Sequence, residues 1–188
     1  MFKKLVSFVF VLGLLAIFPI SSIAKVYYQP IKAVLAASIT PSPTPVPVVD
    51  SFALFWPMSA GKTMQSKIYF LKILKEQVRG FFIFGSAQKA DYDVFIGIKR
   101  MLEAEVLMKG NISDLANKTS DSAASDIDKA NSALTSAKNS GDIDQATKDE
   151  INTRVSNLKK FVISLTSQYP AYKDKLQSIS NKLNFLTL

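Results

Sequence analysis

Apolar residues return every three or four positions from about residue 66 onward, the repeat of helices that bury one side. No long alternating strand pattern occurs after residue 50. Residues 66–84 place Ile68, Leu71, Leu74, Val78, Phe81 and Phe82 on one broad face, with Lys67, Lys75, Glu76 and Arg79 on much of the other. Tyr69, Phe70 and Ile73 widen the apolar sector, so this helix is expected to be central or covered on two sides. Gly85-Ser86 ends it, and Ser86 is expected to cap the next helix, 87–109. That helix repeats the pattern with Ala90, Val94, Ile98, Met101, Leu102 and Met108, and Gly110 stands at its C-terminal cap position. The short connection predicts an antiparallel hairpin.

The third helix, 112–138, carries a thinner stripe: Ile112, Leu115, Thr119, Ala123, Ile127, Ala130, Leu134 and Ala137. Small side chains permit close approach but bury little area, so it is expected to be the least stable. Asn139-Ser140-Gly141-Asp142 is a turn, with Asp142 or Asp144 capping the fourth helix. The remaining seam is the most regular: Ile151, Val155, Leu158, Val162, Leu165, Tyr169, Tyr172, Leu176, Ile179, Leu183 and Leu186. Pro170 either kinks one helix or separates two, 143–168 and 170–186, that bury the same side. A bundle is preferred to an intermolecular coiled coil, because the other helices need a partner face. Residues 113–150 carry four basic and eight acidic side chains, net −4, and residues 151–188 six and one, net +5. The charges favour packing these segments side by side and antiparallel, although two solvated faces explain them equally well.

The fold expected is therefore all-α: antiparallel helical hairpins in an elongated four- to five-helix bundle over residues 51–188. Ahead of it, Met1–Lys4 is basic, Leu5–Ile20 is an apolar run, and Ser22-Ile23-Ala24 is a small-x-small cleavage site. This is the order of a signal peptide, residues 1–24, with a second cleavage point near 36/37. A retained signal anchor competes with it, since Leu5–Ala24 is 20 residues without a charge. Residues 25–50 form a linker, proline-rich at 39–49, that favours an extended polyproline spacer. Either reading places the helical domain outside the cytoplasm, secreted or anchored.

Composition removes much familiar chemistry. The 188-residue chain has no cysteine and no histidine, so it lacks thiol nucleophiles, disulfides, and the commonest general base and metal ligand. Half of the +8 net charge lies in the first 36 residues, a poor signature of nucleic-acid binding. Gly61-Lys62-Thr63 echoes a phosphate loop, but Trp56 stands where its first glycine belongs. Asp126-Ile-Asp128 and Asp142-Ile-Asp144 lack a calcium loop. Lys99, Arg100 and Lys109 read as a solvated face, and the acidic residues as helix ends and polar faces. No cofactor, metal or catalytic residue is expected. The aromatic cluster Phe52–Met58 reads as a lid over the first hairpin, or else as an exposed contact site. Phe52, Phe55 and Trp56, with Tyr169 and Tyr172, are the candidate interaction residues.

Trp56-Pro-Met-Ser-Ala-Gly-Lys-Thr63, Tyr69-Phe-Leu-Lys72, Lys75-Glu76, Arg79-Gly-Phe-Phe-Ile-Phe84, Lys89-Ala90 and Lys99-Arg-Met-Leu-Glu-Ala-Glu105 resemble, in order and spacing, a domain-of-unknown-function family of exported bacterial helical proteins. The likeness spans about residues 55–110. It departs from the family's usual Asp-Pro helix start at Gly85-Ser86 and from its proline turn at Gln65-Ser66-Lys67. It implies export and a helical fold, and no activity. The function expected is a structural or protein-interaction module of the cell envelope, its partner an envelope component or a second copy. The alternatives are a membrane-surface protein using the basic C-terminal helices with Phe52–Met58, and a carboxylate-based cell-wall hydrolase.

Overall fold

The computed structural model describes residues 48–186, so the export segment and most of the proline-rich linker lie outside the described residues. Six α-helices and one 3-10 turn occur in order: α1 (Ser51–Phe55), α2 (Tyr69–Phe81), α3 (Ser86–Lys109), α4 (Ser113–Ser140), α5 (Gln145–Gln168), the turn Pro170–Tyr172, and α6 (Lys173–Leu183). No strand occurs among the described residues, and none of their helices is long and apolar enough to cross a membrane. The all-α bundle read from the periodicity is the fold observed.

The end-to-end pairing fixes the topology. α3 and α4 form an antiparallel hairpin and pack most closely. A methyl on Gly97 of α3 would sit 3.4 Å from the Ile127 side chain of α4, so the helices meet where side chains are small. α5 runs parallel to α3, with Arg154 bonded to both Asp91 carboxylate oxygens at 2.6 Å. α6 returns along α4: Tyr172 donates to Ser113, Lys175 pairs with Asp121 and Lys182 with Asp128. The acidic and basic segments therefore do meet, but α4 and α6 run parallel, not antiparallel as expected. Pro170 separates two helices, and the seam folds back on itself. Its members from Ile151 to Leu186 are buried, apart from half-buried Tyr169.

Local chemistry explains the ends. Gly85, at φ 92°, stands at the cap position of α3 that was expected of Ser86, and Ser86 is instead the first residue of the helix. After α3 the left-handed position falls to Asn111, φ 56°, and the Ile112 amide donates to the Leu107 carbonyl at 2.9 Å. Asp144 caps α5 by accepting from the Thr147 amide at 2.8 Å. α3, buried on nearly every side, is the central helix, a place expected of residues 66–84.

Candidate functional site

α2 is turned the opposite way from its hydrophobicity. Tyr69, Lys72, Glu76 and Gly80, spaced to share one side of a helix, face α3. Ile68, Phe70, Leu71, Leu74, Val78, Phe81, Phe82 and Phe84 are exposed, from 44% for Val78 to 79% for Phe84. The expectation that this stripe would be buried is overturned. Its cause lies in the partner surface, because α3 presents Lys99, Arg100 and Glu103 toward α2.

Those side chains make a buried charge cluster. The fully buried Glu103 carboxylate accepts from the Tyr69 hydroxyl at 2.8 Å, from Lys72 Nζ at 2.5 Å and from Arg100 at 2.7 Å. Glu76 accepts from Lys99 at 2.6 Å and from Arg100. Lys72 also donates to the carbonyls of Ala60 and Lys62, which fastens the incoming loop. The Tyr92 hydroxyl donates to the Glu76 carbonyl at 2.7 Å. A methyl on Gly80 would lie 3.0 Å from the Tyr92 ring, so any larger residue there would have to push the ring aside. The register, 72 on 103, 76 on 99 and 80 on 92, makes α2 and α3 the expected antiparallel hairpin, held by polar contacts. Lys99 and Arg100 are thus not a solvated face; burial and pairing with carboxylates replace it, and Lys109 pairs with Glu105 at 2.9 Å.

The electrostatics come from burial set against pairing. Burial alone would raise the pKa of Glu76, but hydrogen bonds from Lys99 and Arg100 outweigh it and the net shift is downward. Burial lowers Lys72 despite its bond to Glu103. Burial, then the hydrogen bond to Glu103, raises the Tyr69 phenol. Burial works against the Arg100 cation, but the charge of Glu103 and the bond to Glu76 raise its pKa on balance. Each ion is answered by an opposite one. Such a cluster fixes geometry, and losing one member costs about 3–5 kcal/mol.

On the outer side the physics is reversed. Burying one large apolar side chain completely stabilises by about 1.5–3 kcal/mol, so each half-exposed one on α2 leaves on the order of 1 kcal/mol unrealised. Five of them, Phe70, Leu71, Leu74, Val78 and Phe81, stand along α2 and give it exposed apolar surface of a kind that marks binding sites in soluble proteins, whereas Phe84 lies beyond the helix beside Asp91 and Glu150.

The residues singled out from the sequence are scattered. Phe52 and Trp56 are exposed and meet edge to face at 4.6 Å. Phe55 is buried against Phe161 at 5.4 Å. Tyr172 is buried with its hydroxyl on Ser113, and Tyr169 is half-buried at the α5–α6 turn. The aromatic lid exists, but α1 lies along α5, with the Val49 amide on Ser164 and Asn157 on the Leu54 carbonyl, not across the first hairpin. Of the surface read from Phe52–Met58 and the C-terminal lysines, Phe52 and Trp56 stay exposed, Phe55 is inside, and Lys175 and Lys182 are paired with aspartates.

A groove of about 890 Å3 between α2 and α4, floored by α3, holds Glu76, Asp93, Arg100 and Asp126. Burial raises the pKa of Asp93 there. Lys129 pairs with Asp126 at 2.6 Å, and Arg100 approaches it at 4.0 Å. Among the described residues, no group of three or more acidic side chains is placed to hold a metal ion.

Among the residues that carried the family likeness, Tyr69, Lys72, Glu76, Lys99, Arg100 and Glu103 meet in the charge cluster. No curated protein and no solved structure matches the chain. One family model does, over residues 63–184, which takes in α2 to α6 and all but the first few residues of the segment where the likeness was seen. The chain belongs to that family, described as a domain of unknown function (DUF5667).

Proposed function

We propose that the chain is a non-catalytic module of the cell envelope, displayed outside the cytoplasm, that works by docking the outer face of α2 on another surface. The observation that supports this is the inverted helix: a buried charge cluster holds the polar side of α2 against α3 and turns its leucines and phenylalanines outward. The basic, then apolar N-terminus supports export. The absence of histidine and cysteine, with carboxylates committed to ion pairs, supports a role without chemistry.

Photo-crosslinking in intact cells tests the reading. A photoreactive residue at Leu74 of the full chain is expected to capture lipid or protein. The same residue at Ser136, exposed on α4, is expected to capture neither above background. Equal, background-level yields at both positions would overturn it.

A further inference from the structure

We propose that the surface α2 docks on is an anionic lipid bilayer, with the helix lying in the plane of the headgroups. The assignment rests on the outer face of α2 being a docking surface, and it names the chemistry of the occupant. Three observations carry it.

The first is the rim of the apolar stripe. Lys62, Lys67 and Lys75 are exposed around it, while Arg79, also exposed, lies over the Tyr92 and Phe95 rings of α3. Between residues 51 and 90 the single acidic side chain is Glu76, which is turned inward and bonded to Lys99 and Arg100. The outer surface of this segment is therefore apolar in the middle and positive at the edge, the pattern of helices that lie on anionic headgroups.

The second is the same rim read against self-association. Two α2 faces laid together would bring the lysines of both copies close, with no carboxylate between them. A second copy would thus meet repulsion where an anionic headgroup meets attraction.

The third is the chain that leads to the fold. It contains Leu5–Ala24, a run of 20 uncharged residues long enough to span hydrocarbon, with Lys3 and Lys4 before it. α2 begins 44 residues beyond that run, so a chain that keeps the run in a membrane holds α2 within reach of the same lipid at high effective concentration. The charge cluster then has a role: it sets the angle at which the apolar stripe leaves the bundle.

The chain has no cysteine, so single cysteines can be placed at will. The test uses the full chain reconstituted in phosphatidylcholine vesicles, with and without phosphatidylglycerol. An environment-sensitive dye is carried on Leu74→Cys, and on Ser136→Cys as control. The expected result is dye burial and quenching by lipid-borne quenchers at position 74 only, stronger with phosphatidylglycerol and weakened by salt. Lys67→Gln with Lys75→Gln lowers the ratio of docked to undocked α2 by about fivefold per lysine. Docking that is indifferent to phosphatidylglycerol and to the two lysines overturns the anionic assignment. Dye burial that grows with protein concentration and escapes the lipid quencher overturns it in favour of a second copy, and leaves the docking role of the face intact. A dye that stays in water in both vesicles also overturns it, and the crosslinking at Leu74 in cells then judges the docking role separately.

Discussion

Glu103 has three donors and no exposure, so its charge is what Tyr69, Lys72 and Arg100 are arranged around. Glu103→Gln leaves two buried cations under-compensated and is expected to cost about 3 kcal/mol in urea unfolding. Leu74→Ser on the outer side of the same helix is expected to cost about 1 kcal/mol or less, because half of the leucine is in solvent. A reversed ranking would mean that α2 is not held as described. Acid probes the same cluster. Glu76 has its pKa depressed below the ordinary 4.5, so its contribution is complete above that value and lost as pH falls through the lower, folded one. Hydrogen exchange of α2 amides, corrected for intrinsic rates, is expected to accelerate below about pH 4, and Glu76→Gln to abolish that step. Asp91 and Asp93, both raised by burial, titrate with the opposite sign but outside α2, so amides of α2 report the Glu76 effect.

Among the elements, α6 separates two kinds of attachment. Its lysines reach α4 aspartates, yet the lysines are a third exposed and the aspartates more than half, and such pairs are worth about 0–1 kcal/mol. Leu176, Ile179 and Leu183 have no exposure at all. Leu183→Ala is expected to cost about 2–5 kcal/mol and Lys182→Ala under about 1, read from denaturant midpoints at constant slope. The sequence made this legible: the heptad phase carried through Pro170 because both sides of the turn bury into one core. It misled at α2 for an equally physical reason. Periodicity reports that a helix has two unlike sides, and the choice of which faces inward was made from hydrophobicity alone. The signal that decides it was present as a match of charge and spacing, Lys72 and Glu76 against Glu103 and Lys99-Arg100, legible only once the hairpin register is known. The direction of α6 along α4 was hidden too, since net charge per segment says that two segments attract and not which way they run.

At the scale of the molecule, α3 to α6 share one apolar core while α2 is joined to α3 by long polar side chains. α2 is therefore expected to open on its own. Native-state exchange should place its amides in a unit that opens well below the global unfolding free energy, with α3 amides among the last to exchange. A single cooperative unit that includes α2 would contradict the division. Residues 63–184, the span of the family model, contain both the core and this loosely attached helix.

The inversion also divides the record that selection leaves on one short helix. If α2 docks as proposed, substitutions at Tyr69, Lys72, Glu76 and Gly80 are expected to act on how much protein survives in the cell, and substitutions at Leu71, Leu74, Val78 and Phe81 on where the surviving protein goes. A saturation library scored once for abundance and once for attachment would sort α2 into two interleaved sets of positions. The hydrophobic set, contrary to ordinary experience with helical proteins, would be the one blind to abundance.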